Sequence, residues 1–179
     1  MIFKSTKING CFKIIPTKNY DLRGSFHRSF CKRILKKNKI NFDIKQGNIS
    51  VNSKKFTLRG FHYENKPYKE NKIINILNGK VYNVTIDIRK KSKTYMKKNI
   101  ITLSSKNNFS LIIPAGCANA FLTLEDNTIV HYYMSDYYTP LNKRYSGFRY
   151  DDSFFSINWP KKPKIISNKD KSYKNFKTQ

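Results

Sequence analysis

Three cysteines, three histidines, seven glycines and eleven acidic residues are all that this chain of 179 residues carries of each, and each shortage excludes something. Cys11, Cys31 and Cys117 are odd in number and lack metal-type spacing, so neither a disulfide framework nor a cysteine metal site is expected; free thiols of a reducing cytoplasm fit better. Cys117 lies in a loop-like stretch and reads as a bystander thiol. His27, His62 and His131 form no His-x-His pair, which argues against a metal site and leaves no cofactor implied. No apolar run approaches the ~20 residues of a membrane span. "MIFKSTKING" has no apolar stretch after its charges, so no secretory signal is expected and the location expected is cytoplasmic. The length suits a single domain over 1–179, with a basic tail that is partly flexible from about residue 171.

The scarcity of acids leaves a net charge of +25, from 36 basic residues. A nucleic-acid binder is the obvious reading. The lysines, however, are scattered among Asn and Ile, in the bias of A/T-rich codons, and concentrate only in the tail "KKPKIISNKDKSYKNFKTQ". A diffuse positive field steers small anions inward, a diphosphate among them. The expected partner is therefore an anionic small molecule, with no nucleic acid and no membrane.

Period-two alternation dominates what remains. "VYNVTIDIR" puts Tyr82, Val84, Ile86 and Ile88 on one face, and Asn83, Thr85 and Asp87 on the other. "KIINIL" before it ends at Asn78-Gly79, a hairpin signal because both residues tolerate positive φ. "CFKIIPT", "NFDIKQGNISV", "KFTLRGFHY", "KNIITLS", "FSLIIPA", "NAFLTLE" and "TIVHYYMS" read as further strands. One helix is expected early: "SFHRSFCKRILKKN" spaces Phe26, Phe30 and Ile34 four apart, with Ser25 as N-cap. After "INWP" a short helix is expected to pack back. The class is all-β, a sandwich or barrel with minor helix.

Alternation groups His62 with Phe56, Leu58 and Gly60, Lys72 with Ile74 and Ile76, and Tyr132 with Val130 and Met134. A histidine, a lysine and a tyrosine thus share apolar faces of separate strands. A buried tyrosine that donates its hydroxyl is commonplace, but an unpaired buried ammonium is costly. Three such groups converging inside a barrel indicate a pocket.

"TLRGFHY", "NGKVYNVTIDIRKKSKTY", "IIPAGCANAFLTL", "YYMSDYYTP", "FRYDD", "INWP" and "IISNKD" stand in an order that resembles the dTDP-4-dehydrorhamnose 3,5-epimerase family, and "DLRGSFHRSF" and "QGNIS" fit the same template. The resemblance runs from about residue 12 to 170. It implies a cupin-type jelly-roll barrel, a homodimer with an exchanged N-terminal strand, and metal-free chemistry on nucleotide-diphosphate 4-keto-6-deoxy sugars. By the same resemblance His62 is the catalytic base and Asp170 its orienting carboxylate, Tyr132 is the general acid, and Lys72 sits beside the sugar carbonyl. Arg23, Gln46, Asn48, Arg59 and Lys169 match substrate-contacting positions. Strict alternation sends Arg59 to the face opposite His62, so both line one pocket only if Gly60 marks a bulge.

The chemistry suits these residue types. A ketone acidifies its neighbouring C–H bonds, and an imidazole, with a pKa of about 6.5, is a suitable base. A carboxylate fixes its tautomer, a cation at the ketone oxygen stabilises the enolate, and a phenol can return a proton to the opposite face. Three residues depart from the template. Asn119 stands where the family usually has a second histidine, and Arg28 and Lys143 replace glutamates of the substrate-binding region. These changes leave open single-carbon inversion, a related keto-sugar isomerase, a non-thymidine nucleotide (GDP, CDP or UDP), a deoxy-heptose, or a non-catalytic barrel that only binds nucleotide sugars.

Overall fold

The structure, a computed structural model, describes residues 1–65, 67–139 and 144–177. In chain order its elements are β1 (Ile2–Ser5), β2 (Phe12–Ile15), β3 (Lys18–Asp21), β4 (Gly24–His27), α1 (Lys32–Lys37), β5 (Gln46–Asn52), β6 (Thr57–Glu64) and β7 (Lys72–Asn78). They continue as β8 (Lys80–Asp87), β9 (Lys98–Ser104), β10 (Ser110–Ile113), β11 (Cys117–Thr123), β12 (Thr128–Met134), β13 (Tyr145–Gly147), β14 (Ile165–Ile166) and α2 (Asn168–Ser172). One sheet has the order β1-β2-β10-β7-β12-β5, and the other β13-β6-β11-β8-β9, with β14 added parallel to β6. The two face each other as a jelly-roll barrel.

The barrel is packed on three levels. Between the sheets, Ile74, Ile76, Leu111 and Val130 meet Val81, Leu103 and Phe121. Outside the first sheet, Leu35 of α1 and Phe42 cover Ile14, Ile73 and Ile112. Outside the second, Phe148 and Phe155 cover Phe61, Val84, Ile86, Ala118 and Ala120, and Trp159 and Phe176 pack against them. With that outer layer in place, the apolar face of β8 points away from the barrel. Its polar face, Asn83, Thr85 and Asp87, is wholly buried within. These groups are tolerable there because they are hydrogen-bonded; Asp87, for example, accepts from Arg89, Ser92 and Thr94.

Two local expectations are corrected. Asn78-Gly79 does not close a hairpin: β7 pairs with β10 and β12, and β8 with β11 and β9. Gly79 uses its positive φ of +78° to carry the chain from one sheet to the other, tight against Thr128. The early helix is shorter than its spacing suggests. Residues 24–27 form a strand paired, among the described residues, only with β3, and α1 begins at Lys32 with no side-chain cap, so Ser25 does not cap it. The four-residue spacing of Phe26, Phe30 and Ile34 fails because Gly24 (φ +123°) turns the segment into a hairpin and leaves Phe26 in solvent.

The grouping of Lys72 with Ile74 and Ile76, and of Tyr132 with Val130, holds on the inner face. The grouping of His62 with Leu58 does not. Asn119 lies opposite His62 and Phe121 opposite Arg59, so two steps along β11 match three along β6. This bulge reverses the phase of β6 at Gly60-Phe61. Leu58 and Phe61 face outward, whereas Arg59 and His62 both face the barrel interior. Gly60 has φ +110°, and a Cβ there would lie 2.5 Å from the Asn119 carbonyl oxygen and 2.8 Å from Ala120 Cα. Gly60→Ala should therefore cost about 3 kcal/mol. Urea unfolding that shows a loss below 1 kcal/mol would mean the bulge tolerates a side chain.

Candidate active site

The bulge aims His62 at a partner from far along the chain. Ile165 and Ile166 pair with Thr57 and Leu58, and the chain then turns into α2, where the Ser167 hydroxyl accepts from the Asp170 backbone N–H at 3.0 Å. That placement brings Asp170 Oδ1 to 2.7 Å from His62 Nε2, while Oδ2 accepts the Gly60 N–H at 3.0 Å. A carboxylate can only accept, so Nε2 carries its proton toward Asp170 and Nδ1 keeps the lone pair. The acid's side chain is 5% exposed and the imidazole 40%. Burial pushes the Asp170 carboxyl up, but the hydrogen bond and charge of His62, with the bonds from Gly60 and Ser167, outweigh it and hold the carboxyl below its usual range.

His62 opens on a small cleft that is also lined by Glu64, Glu70, Lys72, Cys117 and Asn119. Burial raises the Cys117 thiol well above its ordinary pKa, which leaves it a neutral wall residue. Asn119 is fixed by its neighbours on β8. Its Oδ1 accepts from Asn83 Nδ2 at 3.0 Å and from the Thr85 hydroxyl at 2.9 Å, and its Nδ2 donates to Asn83 Oδ1 at 3.1 Å. The carbonyl end of Asn119 is thus saturated and faces β8. What it can offer a ligand is its second amide N–H, a donor that does not titrate.

Lys72 Nζ lies 2.8 Å from Glu70 Oε1, and Glu70 Oε2 accepts the Tyr145 hydroxyl at 2.7 Å. Glu64 receives the Glu70 N–H and Arg144 Nε, each at 2.6 Å, and Arg144 also pairs with Asp136. Burial raises the Glu64 carboxyl, against the lowering effect of the Glu70 N–H and Arg144. Sequence reasoning missed Glu64, Glu70, Arg144 and Tyr145. The legible signal was an inward Lys72, which needs a buried acid as partner.

Tyr132 stands on the facing sheet, opposite Asn48 and Ile74, half-buried against the barrel core and outside the lining of the cleft. Gln46 and Asn48 lie along the same inner face: Gln46 Nε2 donates to Asn48 Oδ1 at 2.7 Å, and Asn48 Nδ2 to Met134 Sδ at 2.9 Å. Arg59 donates to Asn52 at 2.8 Å and is otherwise exposed. Three other residues are not brought to this cleft. Arg23 is at the tip of the β3–β4 hairpin, paired with Asp21 at 2.6 Å. Arg28 lines a separate depression with Asn75 and Ser110, on the outer side of β7. Lys169 is exposed on α2. Lys143 lies outside the described residues. Among the described residues no three His, Cys, Asp or Glu side chains come together as a metal site would require.

The lowered carboxyl of Asp170 contributes stability above the ordinary carboxylate pKa, and that contribution is lost as pH falls through the folded value. Asp170→Asn should therefore destabilise the protein at pH 7 by about 2 kcal/mol, with the gap to wild type narrowing below about pH 4. Urea titrations at pH 7 and pH 3 check this; an equal gap at both would refute it.

The family model described as dTDP-4-dehydrorhamnose 3,5-epimerase matches residues 5–178. A dTDP-4-dehydrorhamnose 3,5-epimerase of Sinorhizobium fredii is 34% identical over 173 residues, covering 96% of this chain and 88% of its own. The crystal structure of the Bacillus anthracis enzyme of that name, with TDP and PPi bound, superposes with a TM-score of 0.90 at 31% identity, over 98% of this chain and 100% of its own. The dTDP-6-deoxy-D-glucose-3,5-epimerase of Legionella pneumophila, in complex with dTDP-4-keto-L-rhamnose, does so with a TM-score of 0.88 at 32% identity, over 97% and 92%. Matched along nearly the whole chain in sequence and fold, this protein belongs to the dTDP-4-dehydrorhamnose 3,5-epimerase family, as an isomerase of the nucleotide-sugar 3,5-epimerase type.

Proposed function

We propose that the chain inverts C3, C5 or both in a nucleotide-diphosphate 4-keto-6-deoxy sugar, with His62 as the base. The observation that carries this reading is the 2.7 Å contact between His62 and a nearly buried Asp170, at the wall of a cleft that also holds Lys72 and Asn119. His62 Nδ1 takes the proton from the carbon next to the ketone, and Asp170 stabilises the imidazolium that results. The electron pair moves to O4, where the Lys72 ammonium and the free Asn119 N–H support the enolate. Tyr132, on the facing sheet, gives its phenol proton to the opposite face and is re-protonated from solvent. The proton removed and the proton returned balance, so side chains fill every role. Gln46, Asn48 and Arg59 are assigned to the nucleotide diphosphate and sugar.

The working unit in this reading is a homodimer. Among the described residues the β3–β4 hairpin pairs with no other strand; it exposes Tyr20, Leu22 and Phe26, and the outer faces of β5 and β7 expose Ile49, Val51 and Leu77. A hairpin laid on a second copy would cover these side chains and deliver Arg23 to the partner's cleft. Arg28, Lys143 and Lys169 are assigned to the choice between nucleotides.

Incubation in D2O with dTDP-, GDP-, CDP- and UDP-linked 4-keto-6-deoxy sugars, read by mass spectrometry and NMR, tests the chemistry. Deuterium should enter beside the ketone, at one position for a single-carbon epimerase and two for a double one, and His62→Asn should slow entry about 10²–10⁴-fold. Tyr132→Phe should retain deuterium entry but lose inversion. Exchange that survives in His62→Asn would refute the base, and saturable binding without exchange of any sugar would leave only a binding barrel. Sedimentation should give a particle of about 42 kDa, twice the 21.2 kDa chain. A 21 kDa species at every concentration would remove the dimer.

A further inference from the structure

Glu70 has no place in the reaction as drawn, yet it is among the most constrained carboxylates of the barrel. Its side chain is 2% exposed, and both of its oxygens are engaged, one by Lys72 at 2.8 Å and the other by the Tyr145 hydroxyl at 2.7 Å. A carboxylate so buried is costly unless it is paired and hydrogen-bonded. Here the pairing falls on a lysine that lines the cleft beside His62.

The support is built in layers. The Glu70 backbone N–H is held by Glu64, and Glu64 by Arg144. Arg144 in turn lies over the ring of Tyr68, 4.5 Å from its centroid, and over that of Tyr145 at 5.5 Å. The next residue, Asn71, donates its backbone N–H to the Ser135 hydroxyl oxygen and accepts the Ala115 N–H at its side-chain oxygen. Little freedom remains to the segment just before β7. Burial, followed by the bond to Glu70, raises the Tyr145 phenol far above its ordinary pKa, so Tyr145 stays a donor to the carboxylate.

We propose that Glu70, clamped by Tyr145, is a positioning residue for Lys72: it fixes the ammonium in one orientation, spends one of its three N–H donors, and turns the others toward the cleft. The inference rests on the reading that Lys72 supports the enolate oxygen. A free lysine side chain loses rotamer entropy when it is fixed, and a clamped one has already lost it before the substrate arrives. The Glu70–Lys72 pair is neutral overall, so it attracts a ground-state ketone little. It acts on charge as that charge develops on O4, which places its effect on kcat rather than on KM.

The test uses wild type, Glu70→Gln, Lys72→Met, the double variant and Tyr145→Phe, with deuterium exchange into the dTDP-, GDP-, CDP- and UDP-linked 4-keto-6-deoxy sugars as the kinetic readout. Glu70→Gln should lower kcat about 10–100-fold with KM within about twofold, and Tyr145→Phe, which leaves the ion pair intact, about 3–10-fold. The double variant should be no slower than Lys72→Met alone, because a residue acting through Lys72 has nothing left to act on. Independent losses that multiply, or an unchanged Glu70→Gln, would overturn the proposal. A second readout needs no turnover: with 15N-labelled lysine, wild type should show one slowly exchanging ammonium signal that disappears in Lys72→Met and broadens in Glu70→Gln. If wild type leaves all four sugars unlabelled but shows that signal, the reading of the reaction fails while the clamp stands. If labelling proceeds with no such signal, the clamp fails alone.

Discussion

One carboxylate holds the site together. Asp170 accepts the amide of Gly60 with one oxygen and the imidazole of His62 with the other, so the same group pins the bulge and the side chain the bulge redirects. Without the bulge, Arg59 and His62 would lie on opposite faces of β6. Without the carboxylate, the amide at the bulge would be a buried donor lacking its acceptor, and the ring would lose its preferred tautomer. Glycine is required at this point because the adjacent strand leaves no room for a Cβ. The geometry of the cleft is therefore settled by backbone shape first and by side-chain chemistry second.

The arrangement of charge is at odds with the bulk composition. The chain carries +25 overall, yet Glu64, Glu70, Asp136 and Asp170 gather about the cleft. Each is matched to a base within reach: Arg144, Lys72 or His62. The scattered surface lysines supply a long-range field that draws anions inward, and the wall itself offers directed N–H groups whose charge is already compensated. The field would govern encounter and the wall would govern chemistry. A sequence-level net charge reports only the first of these.

Much of the barrel could be read from alternation. The runs around "NFDIKQGNISV", "KIINIL", "VYNVTIDIR", "KNIITLS", "NAFLTLE" and "TIVHYYMS" all became strands, because a period of two is a direct consequence of the pleat. Alternation did not tell inside from outside. In β8 the apolar side chains face away from the barrel under an outer layer, and Asn83 and Thr85 face inward, where they lock Asn119. Long-range partners were equally illegible without the family resemblance: nothing in "SNKD" announces contact with residue 62, and Glu70 and Tyr145 lie 75 positions apart. The early helix failed for a different reason, since a lone glycine at 24 outweighed the helical spacing and left Phe26 in solvent, while Phe30 still packs against Phe42. Where three separate choices agreed (a turn residue, a period and a cover), the sequence was decisive; where they conflicted, tertiary packing chose.

The strand that delivers Asp170 also orders events during synthesis. The imidazole leaves the ribosome 108 residues before its acid, and β14, which carries that acid into place, can dock only on a finished β6. A nascent chain in which every large strand has already formed still holds an unpaired histidine and an incomplete bulge. The last short helix is thus the latch that completes the site, and a chain cut before Asp170 would lack both the acid beside His62 and the acceptor of the Gly60 amide.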